Sequence, residues 1–303
     1  MQRNRVSHVA VAVLLLLAAS SGPVENPGLR GGAGHRTILL PPEEYPQPRA
    51  PALTAPEPGP PVVIPASHSP ALPASQPTPV VRVPILMYHY IRVNPNPVDR
   101  IGAGLSVAPD LFARQLAYLA DAGYTPVSLD EVYAAWTGIR PLPPKPVVLT
   151  FDDGYRDFFT AAYPLLKARG LKATVYVIVD FLDRPAYLTW DMLSTLVAEG
   201  LVTVGSHTLT HVDLSTAPPD RARREIFESK QRLEGRLGVT VNDFSYPSGR
   251  YSPAVVSLVE AAGYRTAATT RPGNTLRLEE RLTLPRVRVD GREGLAEFIS
   301  KLK

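Results

Sequence analysis

Pro146-Val147-Val148-Leu149-Thr150-Phe151-Asp152-Asp153-Gly154 is a short apolar, β-branched run that ends in two adjacent carboxylates. Bounded by Pro146 and Gly154, the run Val147 to Phe151 reads as a buried strand. Two carboxylates at the end of such a strand are costly to bury. The cost is offset when a cation takes one of them, or when a polar pocket keeps one ionised. A second segment repeats the layout, with Val202-Thr203-Val204 leading into Ser206-His207-Thr208-Leu209-Thr210-His211. Histidines four residues apart fall on one face of a helical turn, where both imidazoles reach one ion. Two His and one carboxylate leave coordination positions open, as a catalytic metal requires. Either signal alone is ordinary, since Asp-Asp-Gly is a common turn and a His pair often only shares a solvated helix face. Each follows a strand in a βα pattern, however, and strand ends of that kind converge on one rim.

Outward from these segments, short apolar strands alternate with amphipathic helices, which predicts an α/β domain with a largely parallel sheet or barrel. Strands are expected over 83–91, 173–179, 244–246 and 266–270, besides those at Val147 and Val202. Helices are expected over 109–122 with Leu111, Leu116 and Leu119 inward, and over 155–169, 190–199, 221–237 and 253–262. Gly123, Gly170 and Gly200 supply stops. No fixed-period repeat points to a solenoid.

The chain has 303 residues, 45% of them hydrophobic and 20% charged, enough for one substantial core after residue 83. The front is different. Arg3 and Arg5 precede an uncharged run from Val9 to Ala19, then Ser20, Ser21 and Gly22, the layout of a secretory signal. Those eleven residues are short of the roughly 20 a membrane span needs, although extension to Val24 would allow an uncleaved anchor. From Pro41 to Pro84, fifteen of 44 residues are proline, the composition of an extended spacer. The expected organisation is 1–24 as signal peptide or N-terminal anchor, 25–82 as a Pro-rich disordered linker and 83–303 as the catalytic domain. A secreted or membrane-anchored protein on the extracytoplasmic side follows, and the absence of cysteine fits export without a disulfide framework. The net charge of +4 is modest, and Arg221, Arg223 and Arg224 share a helix with Glu225, Glu228 and Glu234 that reads as a solvated face. No basic and aromatic interleaving points to nucleic acid.

The Thr150-Phe151-Asp152-Asp153-Gly154 segment, the Ser206-His207-Thr208-x-x-His211 segment and Phe244-Ser245-Tyr246-Pro247-Ser248-Gly249 resemble, in that order, the first three motifs of the polysaccharide deacetylases, carbohydrate esterase family 4. The resemblance spans about residues 80 to 300. It implies a distorted (β/α) barrel, Asp152 as general base, and Asp153, His207 and His211 as ligands of a divalent metal. Zinc is first by ligand type, with cobalt, nickel or iron also suited. The backbone N–H of Ser248 is implied as the oxyanion donor. In the usual form of the family the proton donor is a His near the end of the domain, but no His follows His211 here. His89 closes the segment Pro84-Ile85-Leu86-Met87-Tyr88-His89, which resembles the circularly permuted poly-N-acetylglucosamine deacetylase branch, where the acid lies at the front. His89 is therefore expected as general acid.

The third motif of the family usually carries an Arg that orients the base, and Ser245 stands at that position. Arg286, in the strand-like Leu284-Pro285-Arg286, is the candidate replacement. Trp190 and Asp191 resemble part of a fourth motif but equally suit a helix start. The expected reaction is metal-assisted removal of N-acetyl groups from an N-acetylglucosamine-containing polysaccharide: poly-N-acetylglucosamine, peptidoglycan or chitin-like. The alternatives are an O-acetyl glycan esterase and a catalytically weak wall-binding module. A two-carboxylate glycosidase is disfavoured, because neighbouring strand residues point to opposite faces and the His pair would be idle. Tyr88, Tyr90, Tyr155 and Trp190 are candidates to stack on sugar rings.

Overall fold

Seven strands form a closed parallel ring: β1 Ile85–Tyr88, β2 Pro146–Phe151, β3 Ala173–Val177, β4 Val202–Ser206, β5 Asp243–Ser245, β6 Thr266–Pro272 and β7 Leu284–Arg288. Each pairs with the next in chain order, and β7 pairs with β1 to close the barrel. The structure is a computed structural model that describes residues 80–96 and 98–302. The helices are α1 Arg100–Leu105, α2 Pro109–Asp121, α3 Leu129–Trp136, α4 Tyr163–Lys167, α5 Trp190–Glu199, α6 Pro219–Leu237, α7 Pro253–Ala261 and α8 Leu295–Lys301. The expected signal or anchor and most of the expected linker lie outside the described residues. The last two residues of that linker, Val81–Arg82, form a short antiparallel pair with Thr275–Leu276 and so belong with the domain.

Alternation along the strands divides the core into two layers. Leu86, Leu149, Phe151, Val175, Val177 and Phe244 face outward and pack with Leu116 of α2, Leu166 of α4, Leu193 of α5, Ile226 of α6 and Val259 of α7. Ile85, Val148, Tyr176, Ala268 and Leu284 form the second, interior cluster. Burying each such side chain contributes about 1.5–3 kcal/mol before entropy is charged against it. Both faces are covered, which is why the strands read as continuous apolar runs. Gly205 of β4 makes room for the Tyr176 ring. A Cβ there would stand 2.6 Å from that ring and 2.9 Å from the Asp243 carbonyl oxygen.

Two residues beyond Val148 and Leu284 the interior changes character. Thr150, Ser245 and Arg286 are all buried there, on β2, β5 and β7. The polar layer therefore lies at the carboxyl end of the barrel, beneath the loops that follow β2 and β4.

Most expected elements are present within a residue or two, and the departures have local causes. The strand expected over 83–91 breaks at His89, because Tyr90–Ile91 leaves the barrel and pairs instead with Ser106–Val107. The helix expected over 155–169 starts late, since Asp153 and Gly154 are both left-handed (φ 72° each) and Tyr155 bridges to Tyr187. Its first part, Phe158–Ala162, winds as a π-helix before α4. No described helix is long and apolar enough to cross a membrane.

Candidate metal centre and active site

Arg286 and Asp152 form the buried base of the site. The guanidinium donates from Nη1 to Asp152 Oδ1 at 2.7 Å and from Nη2 to Asp152 Oδ2 at 2.6 Å. Its other donors reach Thr150 Oγ1 at 3.1 Å, Ser245 Oγ at 3.2 Å and the Thr269 carbonyl at 2.8 Å. All five N–H groups of a side chain with 1% exposure are thus satisfied. Burial alone would raise the Asp152 carboxyl, but the Arg286 charge and its hydrogen bonds outweigh that and hold it well below the usual carboxylate range. Ser245, expected to need a substitute cation beside Asp152, accepts from Arg286 in the same cluster.

Asp153 turns the other way. Its left-handed backbone carries Oδ1 to 3.4 Å from His207 Nε2 and 3.5 Å from His211 Nε2. One ligand atom from each of the three residues lies within 4.8 Å of the others. His207 donates its Nδ1–H to the Ser245 carbonyl at 2.7 Å, which fixes the tautomer and leaves the Nε2 lone pair facing Asp153. Unprotonated nitrogens and a carboxylate oxygen converging in this way repel unless a cation lies between them. The two Asp153–His separations are close to the edge of a tetrahedron, about 3.3–3.4 Å for bonds of 2.0–2.1 Å. Burial lowers the His207 ring, yet Asp153 and Asp152 more than reverse this, the same preference for positive charge at that point. At His211, burial and then His207 keep the ring below its usual value, in the neutral ligand form. The donor set fits a divalent ion.

The histidine loop is not the helical turn expected from the i,i+4 spacing. Thr208 (φ 68°) and His211 (φ 60°) are both left-handed, and the chain folds back on itself instead of winding. Thr208 Oγ1 accepts the His211 N–H at 3.0 Å across the bend. Glu225 of α6 is the support that the sequence reading placed on a solvated face. It is 4% exposed and accepts the Leu209 and Thr210 N–H groups at 3.0 and 2.9 Å. The available signal was periodicity, since Ala222, Glu225, Ile226, Ser229 and Leu233 make the buried stripe of α6. Glu228 behaves as expected, with its side chain half-exposed and paired with Arg224 at 3.3 Å.

His89, Asp152, Asp153, His207, His211 and Ser248 line one cavity of about 430 Å³, with Ile101, Leu105, Tyr155, Thr270 and Arg288 as its remaining walls. His89 follows Tyr88, which pairs in register with Phe151, so His89 and Asp152 leave adjacent strands side by side. Burial lowers the His89 pKa, and Asp152 and Asp153 act in the opposite direction. Ser248 has a left-handed backbone (φ 54°, ψ 15°) in the turn after β5. Among the aromatic candidates, Tyr155 lines the cavity and stacks on Tyr90 at 3.6 Å between ring centroids. Tyr88 is fully buried against Phe112 and Phe151 and is core. Trp190 opens α5 under Arg236, and it does not line the cavity.

Comparison with known proteins agrees with this geometry. The family model described as polysaccharide deacetylase matches residues 139–267, a stretch that holds both aspartates, the His pair and Ser248 but neither His89 nor Arg286. YxkH of Bacillus subtilis (strain 168), whose name places it among the polysaccharide deacetylases, is 32% identical over 224 residues, 73% of this chain and 77% of its own length. The poly-beta-1,6-N-acetyl-D-glucosamine N-deacetylase of Escherichia coli (strain K12) is 26% identical over 242 residues, 65% of this chain but only 36% of that enzyme. Among solved structures, the Streptococcus pyogenes deacetylase PplD in complex with acetate aligns with a TM-score of 0.68 at 34% identity, over 74% of this chain and 99% of that one. The parallel barrel, the order of its carboxylate and histidine loops and an extended likeness to YxkH place this chain in the polysaccharide deacetylase family of hydrolases.

Proposed function

We propose that the protein is a metal-dependent hydrolase that removes N-acetyl groups from N-acetylglucosamine-containing polysaccharide. The observation that carries the reading is the convergence on one cavity of an Arg-held carboxylate, Asp152, a three-ligand set, Asp153, His207 and His211, and a third histidine, His89. The N-acetylated substrate class is supported by the likeness to the Escherichia coli N-deacetylase.

When bound at Asp153, His207 and His211, a divalent ion supplies Lewis acidity, polarising the acetyl carbonyl and acidifying the attacking water. Asp152 is the proton acceptor. Fixed in the ionised form by Arg286, it keeps free lone pairs toward the cavity. Its proton affinity is low for a base, so the acidity of the water must supply the driving force. The Ser248 N–H is assigned to the oxyanion that develops as the carbonyl carbon becomes tetrahedral. His89 is the proton donor to the departing nitrogen, since an amide anion is too basic to leave unaided. Zinc suits two imidazoles and a carboxylate. An extracytoplasmic location, secreted or tethered through the N-terminal segment, is supported by the signal-like sequence at residues 1–24.

The test is acetate release from 1,4- and 1,6-linked N-acetylglucosamine oligomers by the full chain, stripped with a chelator and reloaded with Zn²⁺. Release should fall to background on stripping and return on reloading. Release from O-acetylated glycans alone would replace this reading with an esterase.

A further inference from the structure

We infer that Glu225 is a positioning residue of the metal centre, holding the His211 loop in its strained shape and thereby setting the affinity of the site for its ion. The inference rests on the reading above that Asp153, His207 and His211 bind a divalent metal.

His207 and His211 are held by different means. His207 follows the last residue of β4 and is tied through Nδ1 to the β5 backbone, so the barrel fixes it directly. His211 lies five residues beyond the end of β4, in a loop whose own backbone forms neither strand nor helix. That loop contains two left-handed residues that are not glycine, Thr208 and His211. For a β-branched residue such as Thr this conformation is a genuine outlier, and each left-handed residue costs on the order of 1–2 kcal/mol. Such strain persists only where the surroundings over-determine it. Locally, the supports are the Ser206 Oγ, which accepts the Thr208 N–H at 3.3 Å, and the Thr208 Oγ1, which accepts the His211 N–H.

The crown of the loop is held from outside on two sides: the Thr208 and Leu209 carbonyls accept from the Val179 and Asp180 N–H groups at 3.1 and 2.9 Å, and its own N–H groups go to one carboxylate. Glu225 Oε2 accepts both the Leu209 and the Thr210 N–H, and Oε1 accepts the Thr210 hydroxyl at 2.5 Å. Two successive N–H groups converging on an anion make a backbone nest. The nearest cation, Arg221 Nε, is 3.9 Å from Oε1 and lies on an exposed side chain. The buried charge is therefore compensated chiefly by the loop itself. Carboxylate and loop depend on each other, and His211 follows directly after the residue that Glu225 binds twice.

In Glu225→Gln the nest loses its negative charge: the amide oxygen can still accept the two N–H groups, but the N–H₂ in place of Oε1 cannot accept the Thr210 hydroxyl. The loop relaxes, and binding the ion must then also order His211. Loss of an outer partner of this kind weakens metal affinity by about 10–100-fold. The experiment measures the Zn²⁺ dissociation constant of the full chain by competition with a chromophoric chelator, beside the melting temperature of the metal-free protein. Glu225→Gln should weaken binding about 10–100-fold. Thr210→Val, which removes only the hydroxyl bond, should weaken it severalfold and keeps the proposal testable if Glu225→Gln fails to fold. Glu228→Gln, at a half-exposed position of the same helix, should leave it unchanged. At saturating Zn²⁺, Glu225→Gln should recover most of its turnover with KM for the glycan unaltered, which a damaged substrate site would not do. Wild-type affinity in both Glu225→Gln and Thr210→Val, whatever their melting temperatures, would reduce Glu225 to a stability residue and overturn the proposal. A wild-type chain that takes up no ion would remove the metal centre itself, and this role with it.

Discussion

Arg286→Met should destabilise the fold by about 3–5 kcal/mol and take turnover down by orders of magnitude, because it leaves the Asp152 carboxylate buried without its counter-charge. In the wild type, Arg286 and Asp152 are 1% and 3% exposed, and water cannot replace the missing partner. Thr150, Ser245 and the Thr269 carbonyl lose their donor in the same step. The pH dependence has a definite sign. With Arg286 present the Asp152 pKa is depressed, so its contribution to stability is present above the unfolded value near 3.8 and is lost as pH falls through the lower folded value. Without Arg286, burial raises the folded pKa, and stability is then lost as pH rises through it. The gap between variant and wild type should therefore be widest at neutral pH and narrow toward pH 4. Urea denaturation at several pH values measures this directly. A gap under about 1 kcal/mol at pH 7, the usual worth of an exposed pair, would show that the pair is not structural. Arg286→Lys should recover part of the stability but not the activity, since an ammonium cannot bind both carboxylate oxygens in a fork.

Asp152→Asn is expected to lower kcat by about 10²–10⁴-fold with a much smaller change in KM, as loss of a general base does. The substitution keeps the shape of the side chain and removes its ability to take the proton of the attacking water. It also turns an N–H₂ toward Arg286, so some stability is lost and activity must be measured well below the melting temperature. Metal affinity should change little, because the Asp153 carboxylate, not that of Asp152, faces His207 and His211. Turnover within a few-fold of wild type with metal bound would mean that the proton goes elsewhere.

Why some of this was legible in the sequence and some was not is a matter of range. The β2 and β4 runs declare themselves because a strand covered on both faces must be apolar throughout, and the polar residues that end it then stand out. Asp152, Asp153, His207, His211, Ser248 and His89 were all marked on that basis or by resemblance, and the fold brings them to one cavity. Arg286 was found as a strand-end residue, but its tie to Ser245 is a relation between β5 and β7 that no local pattern carries. The small Ser245 side chain leaves space in the barrel interior, and the guanidinium reaches it from β7, the next strand but one. The His pair misled for the opposite reason. Spacing of four suits a helical turn, yet the chain takes a left-handed loop that local propensity disfavours, bonded by Glu225, fourteen residues further on, and by the Val179 and Asp180 N–H groups. Charge content put Glu225 on a solvated face, while the apolar period of its own helix placed it inside.

The central claim is that this cavity cleaves a carbon–nitrogen bond with His89 giving the proton to the departing amine. The most direct test compares His89→Ala with wild type, both loaded with Zn²⁺, on two acetyl donors: an N-acetylglucosamine oligomer and an aryl acetate whose leaving group needs no proton. The account predicts that amide turnover falls by about 10²–10⁴-fold while ester turnover falls less than about tenfold. Equal losses on both substrates, or an amide rate that survives the substitution, would contradict it.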